Sequence, residues 1–173
     1  RYYLQQDFDD TIFVKINAPQ LLENQLKNSR TMLPDVVAMA GTCDAYQPAE
    51  AQYKITQKML EILLKYHYPL TISTKSILIK RDIELFEAIA KDTWCAVSFT
   101  ITSMDSSIVK FLEPRTAPSQ QRIDAIRFFK QNAPHVKVGV NFMPIVPMLE
   151  DSDENLENVI RSASEAGADY VLF

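Results

Sequence analysis

The sequence predicts an α/β fold: a partial (β/α)6 barrel of TIM-like type with mostly parallel strands, truncated at one or both ends. Three observations predict it. Short β-rich runs alternate with amphipathic segments, and that order calls for right-handed crossovers and a parallel sheet. Several of the runs are almost continuously apolar rather than alternating, as in strands covered on both faces. Six runs fall short of the eight strands of a closed barrel, and the last is only just entered at residues 169–173 (DYVLF). A doubly wound open sheet is the alternative, because periodicity alone does not separate the two.

Taken in order, residues 11–17 (TIFVKIN) are rich in β-formers and read as a first strand. Pro19 then opens a helix in which Leu21, Leu22 and Leu26 fall at helical spacing. Residues 35–42 (DVVAMAGT) form the second strand, buried on both faces. Across residues 49–66 the period changes to that of a helix, with Tyr53, Ile55, Met59, Leu60, Leu63 and Leu64 as its apolar stripe. Residues 70–75 (LTISTK) and 94–100 (WCAVSFT) are the next strands, separated by a helix over 82–91 that carries Ile83, Phe86, Ile89 and Ala90 on one face. A long loop leads to a helix over 119–131 with Ile123, Ile126 and Phe129, and then to the strand 136–142 (VKVGVNF). Pro144 and Pro147 stiffen a loop, and the acidic turn 150–154 enters a helix over 153–166, with Leu156, Val159, Ile160 and Ala163 inward and Gly167 ending it. No repeat, low-complexity tract or linker divides the chain, so residues 1–173 read as one incomplete domain.

Composition narrows the function classes. Hydrophobic residues make up 47% of the chain, as in an ordinary globular domain, and 22 acidic against 18 basic residues give a net charge of −4. That balance offers no general attraction to a polyanion. No apolar run approaches the roughly 18 residues of a membrane span, and no secretory leader is visible, so a cytoplasmic location is expected. Cys43 and Cys95 lie far apart without the spacing of a zinc or cluster site, and read as small buried hydrophobes. Three glycines exclude a Gly-rich phosphate loop, and His67 and His135 each precede a strand, on the side away from the expected site.

In parallel β/α domains chemistry gathers just beyond the strand C-termini. There the segment 41–50 (GTCDAYQPAE) supplies Gly41, Thr42, Asp44, Tyr46 and Gln47, either as ligand-binding groups or as turn, cap and packing residues. Lys75 ends an otherwise apolar strand, so its ammonium must meet a ligand, a carboxylate or water, or act as a Schiff-base nucleophile. Ser98 and Thr100 end the next strand. Arg122 sits in the first turn of a helix, where the dipole disfavours it, which predicts a carboxylate partner or ligand; a surface pair with Glu113 is the plain alternative. Asn141 interrupts an apolar strand near its end and is placed to hydrogen-bond inside the mouth.

These segments, with 14–22 (VKINAPQLL), 72–76 (ISTKS), Arg81 and Asp82, 112–115 (LEPR), 117–119 (APS) and 144–147 (PIVP), run in an order that resembles radical S-adenosylmethionine proteins of the spore photoproduct lyase-like, or DNA repair photolyase, class. The resemblance covers almost the whole chain. It implies a 4Fe-4S cluster held by a Cys-x-x-x-Cys-x-x-Cys loop that would fall upstream of Arg1, so the full-length protein would carry S-adenosylmethionine and the cluster, while neither would assemble on this piece alone. By resemblance, the loop around Gly41, Thr42, Asp44, Tyr46 and Gln47 receives the amino group of the cofactor. Lys75 and Ser98 or Thr100 meet its carboxylate or ribose, Arg122 turns toward that carboxylate, and Asn141 with Ile145 and Val146 flanks its sugar and adenine. The implied reaction is reductive cleavage to methionine and a 5′-deoxyadenosyl radical that abstracts hydrogen from an unknown substrate, with a reductant as partner and Cys43 as a thiol to test. Nucleic acid enters by resemblance only, and no membrane partner is implied. The other readings are a Schiff-base lyase using Lys75 and a non-catalytic barrel that binds a partner.

Overall fold

The structure, a computed structural model, describes residues 12–28 and 35–173. Its elements are α1 (Ala18–Asn28), β1 (Val37–Met39), α2 (Glu50–Tyr53), α3 (Ile55–Lys65), β2 (Leu70–Thr74), a 3-10 turn (Ile77–Asp82), α4 (Ile83–Asp92), β3 (Cys95–Thr100), α5 (Ser106–Leu112), α6 (Ser119–Asn132), β4 (Lys137–Asn141), α7 (Asp153–Glu165) and β5 (Tyr170–Leu172). The five strands form one sheet in the order β1-β2-β3-β4-β5, and every adjacent pair is parallel. A doubly wound sheet reverses its strand order part-way. This order never reverses, which is the unclosed, barrel-like arrangement.

Register divides the sheet into two unlike faces. Leu70 pairs with Cys95, Ile72 with Val97 and Val97 with Val138, while Thr74 pairs with Phe99, Phe99 with Val140 and Val140 with Val171. This face is apolar, and the helices cover it: Leu60 and Leu63 of α3, Phe86 and Ile89 of α4, and Ile123, Ile126 and Phe129 of α6 are all buried in the same core. Phe129 meets Phe86 and Phe99 with ring centroids 5.8 and 6.0 Å apart, at tilted and edge-on angles that suit aromatic pairs. Burying one such side chain stabilises the fold by roughly 1.5–3 kcal/mol. Along the other face run Thr71, Ser73, Ala96, Ser98, Thr100, Gly139, Asn141 and Tyr170. A closed barrel fills that side with bulky branched side chains. Here it is small and polar, and three of its members near the strand ends, Ser73, Thr100 and Asn141, line a cleft.

The structure corrects the expected boundaries in several places. Thr11 lies outside the described residues, and residues 12–17 form no strand; turn bonds run from the Ile16 N–H to the Val14 carbonyl and from the Ala18 N–H to the Lys15 carbonyl. The expected six-stranded sheet therefore has five strands among the described residues. β1 is short and half-exposed rather than covered on both faces, because it forms an edge of the sheet. The single helix expected over 49–66 is two helices. Glu50 accepts hydrogen bonds from the backbone N–H groups of Thr56 and Gln57, capping α3 from the preceding turn, while Lys54 takes a left-handed φ of 52° at the break. Tyr53 and Ile160, expected on apolar stripes, are exposed. The segment read as a long loop holds α5, capped by Asp105 through the N–H groups of Ser107 and Ile108. Gly167 does end α7, with φ of 83°. Among the described residues no helix is long and apolar enough to cross a membrane.

Candidate functional site

Because the strands are parallel, their C-terminal ends open on one side, and there a cleft of about 470 Å³ is lined by Gly41, Thr42, Cys43, Asp44, Lys75, Thr100, Asn141 and Pro144. The loop after β1 enters it through Ala40, whose φ of 70° is costly for a residue with a Cβ. Asp44 then pins that loop to the end of β2. One of its carboxylate oxygens accepts from the Thr74 hydroxyl at 2.7 Å and the Tyr46 N–H at 2.8 Å, and the other accepts from the Lys75 N–H at 2.8 Å.

Lys75 and Arg122 share one carboxylate. Lys75 Nζ lies 2.5 Å from Glu113 Oε1, and Arg122 donates to Glu113 Oε2 at 2.7 Å. Arg122 is fully buried, and its guanidinium also donates to the carbonyls of Thr100 and Ala117 and to the Thr116 hydroxyl. Burial alone would raise the Glu113 carboxyl, but the hydrogen bond from Lys75 and the charge of Arg122 outweigh it and hold Glu113 below the usual carboxylate range. Lys75, about a third exposed, is the cation on the cleft side of this chain.

Behind the loop, the Tyr46 hydroxyl donates to Asp82 at 2.9 Å, and Asp82 also accepts from Gln57 and Arg81, which in turn binds Glu50. Burial first, and then the neighbouring Asp82 charge, push the Tyr46 hydroxyl far above its ordinary value, so it works as a fixed neutral donor. On the same face of the sheet as the cleft, the Tyr170 hydroxyl donates to the Val97 carbonyl at 3.2 Å and pairs with the Ser98 hydroxyl at 3.0 Å.

The expected site residues thus fall into groups. Gly41, Thr42, Asp44, Lys75, Thr100 and Asn141 line the cleft together. Tyr46 and Gln47 face a neighbouring cavity, Ser98 is buried in β3 and paired with Tyr170, and Arg122 is enclosed behind Glu113. The surface pair considered for Arg122 and Glu113 is therefore a buried one. Tyr170 was not legible as a site residue, since a tyrosine in a short terminal strand carries no signal of its own. One atom stands out. The Asn141 side-chain oxygen is buried without a hydrogen-bond partner, the only such side-chain atom among the described residues.

An uncharacterized protein of Methanocaldococcus jannaschii is 30% identical over 151 residues, covering 87% of this chain and 54% of that protein. An uncharacterized protein of Mycobacterium tuberculosis is 28% identical over 162 residues, covering 94% and 47%, and one of Acidianus two-tailed virus is 30% identical over 140 residues, covering 79% and 44%. The chain spans about half the length of these curated relatives. No protein-family profile matches it, and no solved structure matches it significantly.

The donor set decides what the residues present can hold. Two cysteines, Cys43 exposed and Cys95 buried in β3, do not supply the three thiolates that the implied cluster loop requires, and among the described residues no three His, Cys, Asp or Glu side chains gather as metal ligands. The cleft, in contrast, suits a polar ligand that carries both an anion, for Lys75, and an N–H or O–H donor, for Asn141.

Proposed function

We propose that this chain is the larger part of a radical S-adenosylmethionine core, in which the cleft at the strand ends receives the S-adenosylmethionine. The observation that carries this reading is the unpartnered Asn141 oxygen. Leaving a buried acceptor unpaired costs roughly 1–3 kcal/mol, which a ligand donor at that position would relieve. Ribose and adenine offer such donors. In this reading Lys75 pairs with the carboxylate of the ligand, the loop from Gly41 to Asp44 faces its amino group, and Thr100 lies between the two ends.

When bound beside a reduced cluster, S-adenosylmethionine supplies methionine and a 5′-deoxyadenosyl radical for hydrogen abstraction. The cluster ligands would come from the rest of the whole protein, and the five strands would be part of a (β/α)6 partial barrel in the cytoplasm. What this chain contributes is position and charge. Asp44 fixes the loop, Glu113 orients Lys75, and the Tyr46 to Asp82 bond holds the loop from behind. A Schiff-base role for Lys75 has less support, because carbonyl attack needs a free amine in an apolar pocket, whereas Lys75 sits 2.5 Å from a carboxylate.

The test uses the full-length protein, reconstituted anaerobically with iron and sulfide and reduced with dithionite. Formation of 5′-deoxyadenosine from S-adenosylmethionine is the expected result. A protein that takes up iron but forms none under any reducing condition would return the barrel to the reading of a non-catalytic binding module.

A further inference from the structure

The segments that follow β3 and β4 leave those strands at their C-terminal ends, so they stand on the same side of the sheet as the cleft. Between them lies a separate groove of about 350 Å³, with Met104, Ile108 and Leu149 as its apolar wall and Asp105 and Glu154 among its polar lining. Its shape is fixed from below. Asn155, buried near the start of α7, donates from its side-chain amide to the carbonyls of Thr102 and Glu150, each at 2.8 Å, which ties the loop after β3 to the loop after β4. Glu150, also buried, accepts from the Val146 N–H at 2.9 Å and closes the second loop on itself.

The rim of this groove is both acidic and apolar. Residues 142–154 hold Glu150, Asp151, Asp153 and Glu154 and no lysine, arginine or histidine, and the two cations of residues 101–118, Lys110 and Arg115, border other cavities. Met148 is 92% exposed and Phe111, one helical turn from Ile108 on α5, is 74% exposed, while Met143 and Leu149 are each open by more than a third. Helix dipoles account for Asp105 at the start of α5 and for Asp153 and Glu154 at the start of α7. They do not account for large apolar side chains grouped in water beside those acids, which gain free energy when covered.

We propose that this groove docks a cationic polypeptide segment in which apolar residues alternate with lysine or arginine. Its apolar side chains enter between Ile108 and Leu149 and cover Met148, whose unbranched, polarisable side chain adapts to a partner, and its cations meet Asp105, Asp153 and Glu154. The occupant is a polypeptide rather than a nucleic acid, because phosphates would meet carboxylates here and no cation. Docking sets that segment beside Pro144, where the loop after β4 lines the cleft, yet needs nothing bound in the cleft, so it stands apart from the reading above.

The test is fluorescence anisotropy of the full-length protein with a labelled peptide of about ten residues in which lysine and leucine alternate, beside peptides of lysine with serine and of glutamate with leucine. Saturable binding of the lysine–leucine peptide, at least about tenfold tighter than either control, is expected, since each control lacks one of the two matching features. Met148→Ser and, separately, the pair Asp153→Asn with Glu154→Gln should each weaken that binding about tenfold. All three positions are exposed, so the far-UV circular dichroism of both variants should match that of the parent protein. Binding no tighter than a control, or binding that both variants leave intact, overturns the proposal. So does a single-stranded DNA of about ten nucleotides whose binding those variants weaken.

Discussion

The ring of Tyr170 occupies the space that a side chain at Gly139 would need. A Cβ built on Gly139 would lie 2.4 Å from two ring carbons of Tyr170 and 2.6 Å from its backbone oxygen. The absence of a side chain on β4 is thus what lets Tyr170 of β5 reach Ser98 and Val97 on β3, two strands away. Gly139→Ala should destabilise the protein by about 1–3 kcal/mol, read from urea unfolding. Tyr170→Phe should cost less, about 1 kcal/mol, because it loses the hydroxyl contacts but keeps the ring. A neutral Gly139→Ala would mean that the sheet gives way at this point.

Glu113 neutralises a guanidinium that water does not reach. Glu113→Gln leaves Arg122 buried without its counter-ion and should cost about 3 kcal/mol by the same measurement. Lys75→Gln should cost under about 1 kcal/mol, since Lys75 is partly solvated and Arg122 still satisfies Glu113.

Acid should unfold the protein partly through the same residue. The folded state holds the Glu113 carboxyl below its ordinary value of 4.5, so the unfolded chain takes up that proton first. The contribution of Glu113 is fully present above that ordinary value and is lost as pH falls through the lower folded value. Asp169, whose carboxylate accepts from the Val138 N–H and Lys130, is also held below its ordinary value and acts in the same direction. Urea midpoints should therefore fall with pH below about 4.5, and the slope should be shallower in Glu113→Gln. An unchanged slope in that variant would remove Glu113 from this account.

The two thiols should differ in reactivity. Burial pushes the Cys95 thiol up to about 12, whereas Cys43 is exposed on the cleft loop. A chromogenic disulfide reagent should modify Cys43 in the native protein, with Cys95 reacting only after unfolding, as read by mass mapping of the peptides that carry each. Two equally fast thiols would contradict the placement of Cys95 in the core.

Much of the fold was legible because its signals are local. Short runs rich in β-formers, set between helical periods, marked β2, β3 and β4, and a spacing of three residues between Ile123, Ile126 and Phe129 marked α6. The break at Lys54 was not legible, since it depends on Glu50 reaching forward to cap α3 and on Arg81 holding Glu50 from a distant turn. Nor was it legible that residues 12–17, for all their β-propensity, form no strand. At the site, strand ends pointed to Asp44, Lys75 and Asn141. Sequence suggested a carboxylate for Arg122 but not that Glu113 would also hold Lys75, because that sharing arises only when the ends of β2 and α5 meet.

The central claim is that the cleft around Asn141 is a binding site for S-adenosylmethionine, and equilibrium binding to the full-length protein tests it most directly. Saturable binding, weakened about tenfold in Asn141→Val with stability unchanged or raised, is the predicted result, since valine removes an acceptor that only the ligand satisfies. No saturable binding, or an affinity that Asn141→Val leaves untouched, contradicts it.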